Sequence, residues 1–112
     1  MIVHKMHLAK KHFDKILDGS KVIEIRLLDR KRQMIKVGDE IEFSQNENSD
    51  KKIKISVINL HIYQSFDDLF SSFPCEYFGA NSKQELLDGV NLIYSKEKQG
   101  KYGAVGIEMK LN

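Results

Sequence analysis

Three charged side chains fall within six residues of one another: Lys21, Glu24 and Arg26, in the run Gly19-Ser20-Lys21-Val22-Ile23-Glu24-Ile25-Arg26. Residues two apart on a strand point to the same face, so Glu24 and Arg26 share a side. Lys21 has the opposite parity, but it follows a helix cap, where backbone twist can swing it towards them. Three charges in so short a segment are expensive to bury unless they are paired or used. The chemistry on offer is recognition of polar, charged groups. A guanidinium forks onto phosphate or a base edge, and a carboxylate accepts from an exocyclic amine or a ribose hydroxyl. On charge alone, an ion pair on a solvated strand face is the simpler reading, because such pairs are common and weak.

The other reactive side chains offer less. His4, His7, His12 and His61 have no recognised ligand spacing and no cysteine pair beside them, so no metal site is expected. No glycine-rich phosphate loop is present and no cofactor is implied. Cys75 is the single cysteine, which rules out an intrachain disulfide and fits a reducing compartment. Phe66, Phe70 and Phe73 read as packing residues, and Lys31-Arg32 as part of a solvated connection. With 18 basic and 16 acidic residues, the net charge of +2 excludes a binder that works by charge alone. Any contact with RNA must therefore be made by a local patch or pocket. The start of the chain turns polar too early for a leader and no apolar run approaches a membrane span, so a cytoplasmic protein without a membrane partner is expected.

Hydrophobic periodicity supplies the elements that must position the charged trio. Ile2, Met6 and Leu8 share one parity and mark a first strand. Phe13, Ile16 and Leu17 are spaced as on a helix face, and Gly19 stands where a helix C-cap belongs. A second strand is expected from Lys21 to Leu28, followed by a polar connection over Asp29 to Gln33. Val37-Gly38-Asp39 is a turn before a third strand holding Ile41 and Phe43. Gln45 to Lys51 lacks apolar residues and reads as an exposed hairpin loop. In the fourth strand, about Lys52 to Tyr63, Ile53, Ile55 and Val57 are odd, whereas Ile58, Leu60 and Ile62 are even. That parity switch predicts a bulge or sharp bend near Val57-Ile58. Ser65 and Ser82 read as helix N-caps. Ser95 to Lys101 reads as a polar link, and Tyr102 to Leu111 as the last strand. The order β-α-β-β-β-α-α-β, without repeats or linkers, predicts one α+β domain over residues 1–112.

The eight-residue run reads G-x-K-x-x-E-x-R and opens a strand after an amphipathic helix. With Val37-Gly38-Asp39 and Tyr102-Gly103 in their places, nearly the whole chain resembles the ASCH domain, a branch of the PUA-like β-barrels associated with RNA and modified nucleosides. The resemblance implies a twisted β-barrel of about five to six mixed strands with two to three short flanking helices. It also implies RNA or a modified nucleoside as partner, with a cleft lined by Lys21, Glu24 and Arg26, joined by Tyr102. Lys10, Lys11 and Lys15 would add attraction to phosphates. A second implied function is a small amidohydrolase acting on 4-acetylcytidine. In that branch a lysine, matched by Lys21, acts as base, and a threonine acts as nucleophile where this chain has Glu24. A later glutamate, matched by Glu76, completes the site. Without a hydroxyl at position 24, Glu24 would have to activate water instead. A partner-binding domain without a small ligand is the third reading.

Overall fold

The computed structural model describes residues 1–112. Five strands form one curled sheet in the order β1-β3-β4-β5-β2. They are β1 (Val3–Leu8), β2 (Ile23–Leu27), β3 (Glu40–Gln45), β4 (Asn48–Tyr63) and β5 (Ala104–Leu111). β1 runs parallel to β3, and the other neighbours are antiparallel. The helices are α1 (Lys10–Leu17), α2 (Arg30–Gln33), α3 (Phe66–Ser71), α4 (Lys83–Ile93) and α5 (Lys96–Tyr102), with one turn of 3-10 helix at Cys75–Phe78. No helix is long and apolar enough to cross a membrane.

The expected α+β architecture and mixed barrel-like sheet are present. The bulge is where the parity switch put it: Val57 pairs with Met109 and Asn59 with Glu108, leaving Ile58 as the extra residue. Ile53, Ile55 and Val57 lie in the core before it, and Leu60 packs against the same core after it. The bulge re-aims the side chains and lets the long strand coil.

Several local expectations need correction. There are five helices and a 3-10 turn, where two to three were expected. Asp29 to Gln33 contains α2, whose N-terminus is capped when the Arg32 amide donates to Asp29 Oδ1 at 3.1 Å. Ser95 to Lys101 is largely α5, capped when the Lys98 amide donates to Ser95 Oγ at 3.2 Å. Neither helix buries a residue, so neither carries an apolar stripe to read. Gln45 to Lys51 is mostly strand, with Asn46 and Glu47 as the turn: Gln45 pairs with Asn48, and the register shifts before Ser44 pairs with Lys52. β2 begins at Ile23 rather than Lys21, and the last strand begins at Ala104, with Tyr102 ending α5.

The core lies on both sides of the sheet. Inside the curl, α1 contributes Phe13 and Ile16 to a cluster with Ile41, Phe43, Ile55 and Ile107. Outside it, α3 and α4 pack Phe66, Leu69 and Leu86 against Ile23 and Leu27 of β2. Asp39, buried in the turn before β3, accepts from the Ile2 and Lys36 amides at 3.2 and 3.0 Å and meets His4 Nε2 at 2.8 Å. This carboxylate seats β1 on β3. The sheet has two edges, β1 and β2, and the charged trio lies at the seam between them.

Candidate functional site in the seam of the half-barrel

α1 ends at Asp18, whose carboxylate accepts from the Ser20 amide at 2.8 Å, and Gly19 turns the chain at φ +84°. The left-handed turn brings Lys21 back beside α1, where its amide donates to Lys15 O at 3.0 Å. The Lys21 stem is then covered by Gly79, itself at φ +78°. A Cβ there would lie 3.1 Å from Lys21 Cδ and 3.2 Å from its Cβ. Any side chain at position 79 would be strained and would push against that stem. Lys15 Nζ donates to Gly79 O at 2.5 Å and ties this lid to α1.

Lys21 is only 3% exposed and Glu24 4%. Lys21 Nζ lies 2.8 Å from Glu24 Oε1, which also accepts from the Ile25 amide at 3.1 Å. Arg26 donates to Glu24 Oε2 from Nε at 3.0 Å and from Nη2 at 2.9 Å. Nη2 also donates to His7 O at 2.9 Å, across to β1. A side chain therefore joins two strands that do not pair with each other. Burial alone would raise the Glu24 pKa, but the Lys21 ammonium and then the Arg26 guanidinium outweigh it and hold the carboxyl at about 2.

His12, on α1, completes the group. Its Nδ1 lies 3.1 Å from Lys21 Nζ. Burial, and then the Lys21 charge, push the imidazole down to about 4. Neutral at ordinary pH, His12 accepts from the ammonium. No three His, Cys, Asp or Glu side chains gather as metal ligands would.

An inventory of donors shows what remains free. Glu24 has both oxygens engaged, each twice. Lys21 has two of its three N–H bonds directed at Glu24 and His12. Arg26 keeps both N–H bonds of Nη1 without a partner in the protein. The site thus offers donors, and a net positive charge, to an acceptor or an anion.

These side chains border a cleft of about 800 Å³ between α4 and the seam. Lys11 and Glu85 span its mouth with a 3.2 Å ion pair. Of the residues singled out in the sequence, Lys21, Glu24, Arg26 and Lys11 come together here. Lys10 is exposed, paired with Asp14, and does not line the cleft. Lys15 is committed to Gly79 O. Tyr102 lines a separate hollow of about 520 Å³, with Lys101 Nζ 5.1 Å from its ring centre. Glu76 is exposed on the 3-10 turn, outside the cleft lining, 3.5 Å from Cys75 Sγ. Sequence reasoning missed His12 and Glu85 as members. The capping position of Glu85 was legible from Ser82, but nothing in the spacing directed His12 towards Lys21 or Glu85 towards Lys11.

Comparison with known proteins bears on the fold and the family. The hypothetical protein PH0355, known from a crystal structure, is similar over 100% of both chains, with 32% identity and a TM-score of 0.87. The solution structure of protein PF0455 from Pyrococcus furiosus is similar over 97% of this chain and 96% of that one, with 32% identity and a TM-score of 0.77. No curated protein matches the chain. The ASCH domain model matches residues 6–112, a span that contains the G-x-K-x-x-E-x-R run and the charged trio, and the chain belongs to the ASCH domain family.

Proposed function

We propose that this domain binds RNA or a nucleotide in the cleft beside Lys21, Glu24 and Arg26. One observation carries the reading: a buried carboxylate orients two cations, and one of them, Arg26, still presents the two N–H bonds of Nη1. A guanidinium held in plane by its other edge is preorganised for the oxygen of a phosphate or a base carbonyl. Glu24 then serves to position Arg26 and Lys21. It is not the group that reads the ligand, because its lone pairs are occupied. The same occupancy weighs against Glu24 as a general base for water, and the exposed Glu76 lies outside the cleft lining. Binding is accordingly the better-supported reading.

The test is titration of the wild type and Arg26→Ala against a panel of mononucleotides and short single-stranded RNAs, with melting curves alongside. The variant is expected to fold and to lose about 1.5–3 kcal/mol of binding, the range of a hydrogen bond from a charged group. Equal affinity with an intact fold removes Arg26 from the site.

A further inference from the structure

The α4 wall of the cleft is polar at its start, with Glu85 and Asp88, and apolar towards its end, with Val90, Leu92 and Ile93; between the two parts it contains a glycine that the fold does not require. Gly89 lies in the middle of α4, lines the cleft, and has no positive φ. A Cβ placed on it would meet nothing within 4 Å. Neither backbone conformation nor packing therefore calls for glycine, although glycine in a helix interior is less favourable than alanine. What the missing side chain does provide is open space on the cleft side of the helix.

The neighbours of Gly89 define that space. Val90 and Ile93 continue the wall along α4, and Tyr94 closes its end. Ile25, on β2, lines the same cleft and is only half-buried. Ile93 is 72% exposed and the adjacent Leu92 89%, so this end of α4 shows water an apolar surface with no protein partner. The cleft is thus two-ended, with unused Arg26 donors at one side and, past Asp88, the apolar end of α4 with a gap at position 89 on the other.

We propose that Gly89 is a specificity-determining residue: it leaves room for the flat base of a nucleotide to lie against α4, opposite Ile25, while an oxygen of the same nucleotide rests on Arg26. This rests on the nucleotide-binding reading and adds the recognition of a base to that of a phosphate or carbonyl oxygen. A base is an apolar-faced ring with polar edges, which is the shape and chemistry of the two-ended cleft. A sugar phosphate lacking the base would use the charged side only.

The experiment is an NMR titration to millimolar concentrations of AMP, UMP and ribose 5-phosphate, following the methyl groups of Ile25 and Val90. The proteins are the wild type, Gly89→Ala, Gly89→Leu and Arg26→Ala. Removing a helical glycine should leave the melting temperature equal or higher. Despite that, Gly89→Leu should weaken AMP and UMP by about tenfold or more, the order expected for one lost base-packing contact. Its affinity for ribose 5-phosphate should stay at the wild-type level. Gly89→Ala should fall between. Equal loss for all three ligands, or no loss for AMP and UMP, overturns the role of Gly89. If Arg26→Ala loses binding while both Gly89 variants bind as the wild type does, this inference fails and nucleotide binding stands. If the wild type binds neither AMP nor UMP, this inference fails, and if it also binds none of the short RNAs, the binding reading fails with it.

Discussion

The protein buries two carboxylates, Glu24 and Asp39, and the two differ in what their partners have left to give. Each is held at about pKa 2. Asp39 is held first by its hydrogen bond from His4 and then by the Lys36 amide, with the Ile2 amide adding to them. Two of these donors are backbone groups that have no further N–H to offer. Asp39 is therefore a clamp, closed on itself, that fixes β1 against the turn before β3. Glu24 is instead surrounded by two side-chain cations, and Arg26 has donors to spare at the edge of a cleft. A low carboxyl pKa in a buried place does not by itself identify a site. Unsatisfied valence on the partners, directed at open space, is the better sign.

The comparison is broken most severely at Glu24. Replacing it with alanine strands the Lys21 and Arg26 charges, and removal of one member of a buried ion group costs about 3–5 kcal/mol. Urea denaturation should show this. The double variant Lys21→Met with Glu24→Gln should recover much of the stability, because a buried pair is often replaceable by neutral residues of similar volume. It should not recover ligand affinity. A single variant as stable as the wild type would show that the trio is not held as described.

Asp39→Asn tests the other half. It should lower the melting temperature by weakening the seat of β1, while ligand affinity in the folded protein stays unchanged. A loss of affinity matching that of Arg26→Ala would mean the clamp and the cleft are coupled.

Acid sharpens the same contrast. Both carboxyls have depressed folded pKa values, so their stabilisation is complete above their unfolded values, about 4.5 for Glu24 and 3.8 for Asp39. It is lost as pH falls towards 2. His12 acts earlier. Its folded pKa of about 4 lies below the ordinary 6.5, so the unfolded chain takes up a proton that the folded one refuses. Stability should therefore already decline between pH 6.5 and 4. His12→Gln keeps an acceptor for Lys21 and should flatten that upper part of the curve alone. An identical pH profile in the variant would remove His12 from the account.

The smallest effect is expected at the hairpin tip. Asn48→Ala, exposed at the start of β4, should change stability by no more than about 0.5 kcal/mol and leave affinity unchanged. Ile25 carries a related lesson. It shares a face of β2 with Ile23 and Leu27, which are buried under α3 and α4, yet it is only half-buried. The cover ends above Ile25 because the cleft opens there.

What the sequence by itself determined is local and periodic. The parity of Glu24 and Arg26 put them on one face, Gly19 ended α1 where a left-handed residue was needed, and the switch at Val57-Ile58 located the bulge. Ser65, Ser82 and Ser95 all cap helices, although only the first two have apolar stripes after them to confirm the reading. These features follow from the 2.0 and 3.6 residue periods and from short-range hydrogen bonds, which the order of residues records directly. Only the tertiary structure decided which elements face one another. His12 reaches Lys21 through the turn at Gly19, Arg26 reaches the carbonyl of His7 across an unpaired edge, and Lys11 meets Glu85 from 74 residues away. The same packing leaves Glu76 and Tyr102 outside the cleft. It also closes both oxygens of Glu24 to a ligand while leaving Arg26 Nη1 open. No spacing encodes these outcomes, because they depend on how α1, α4 and the two sheet edges settle around a shared core, and burial there determines which hydrogen-bonding groups remain free.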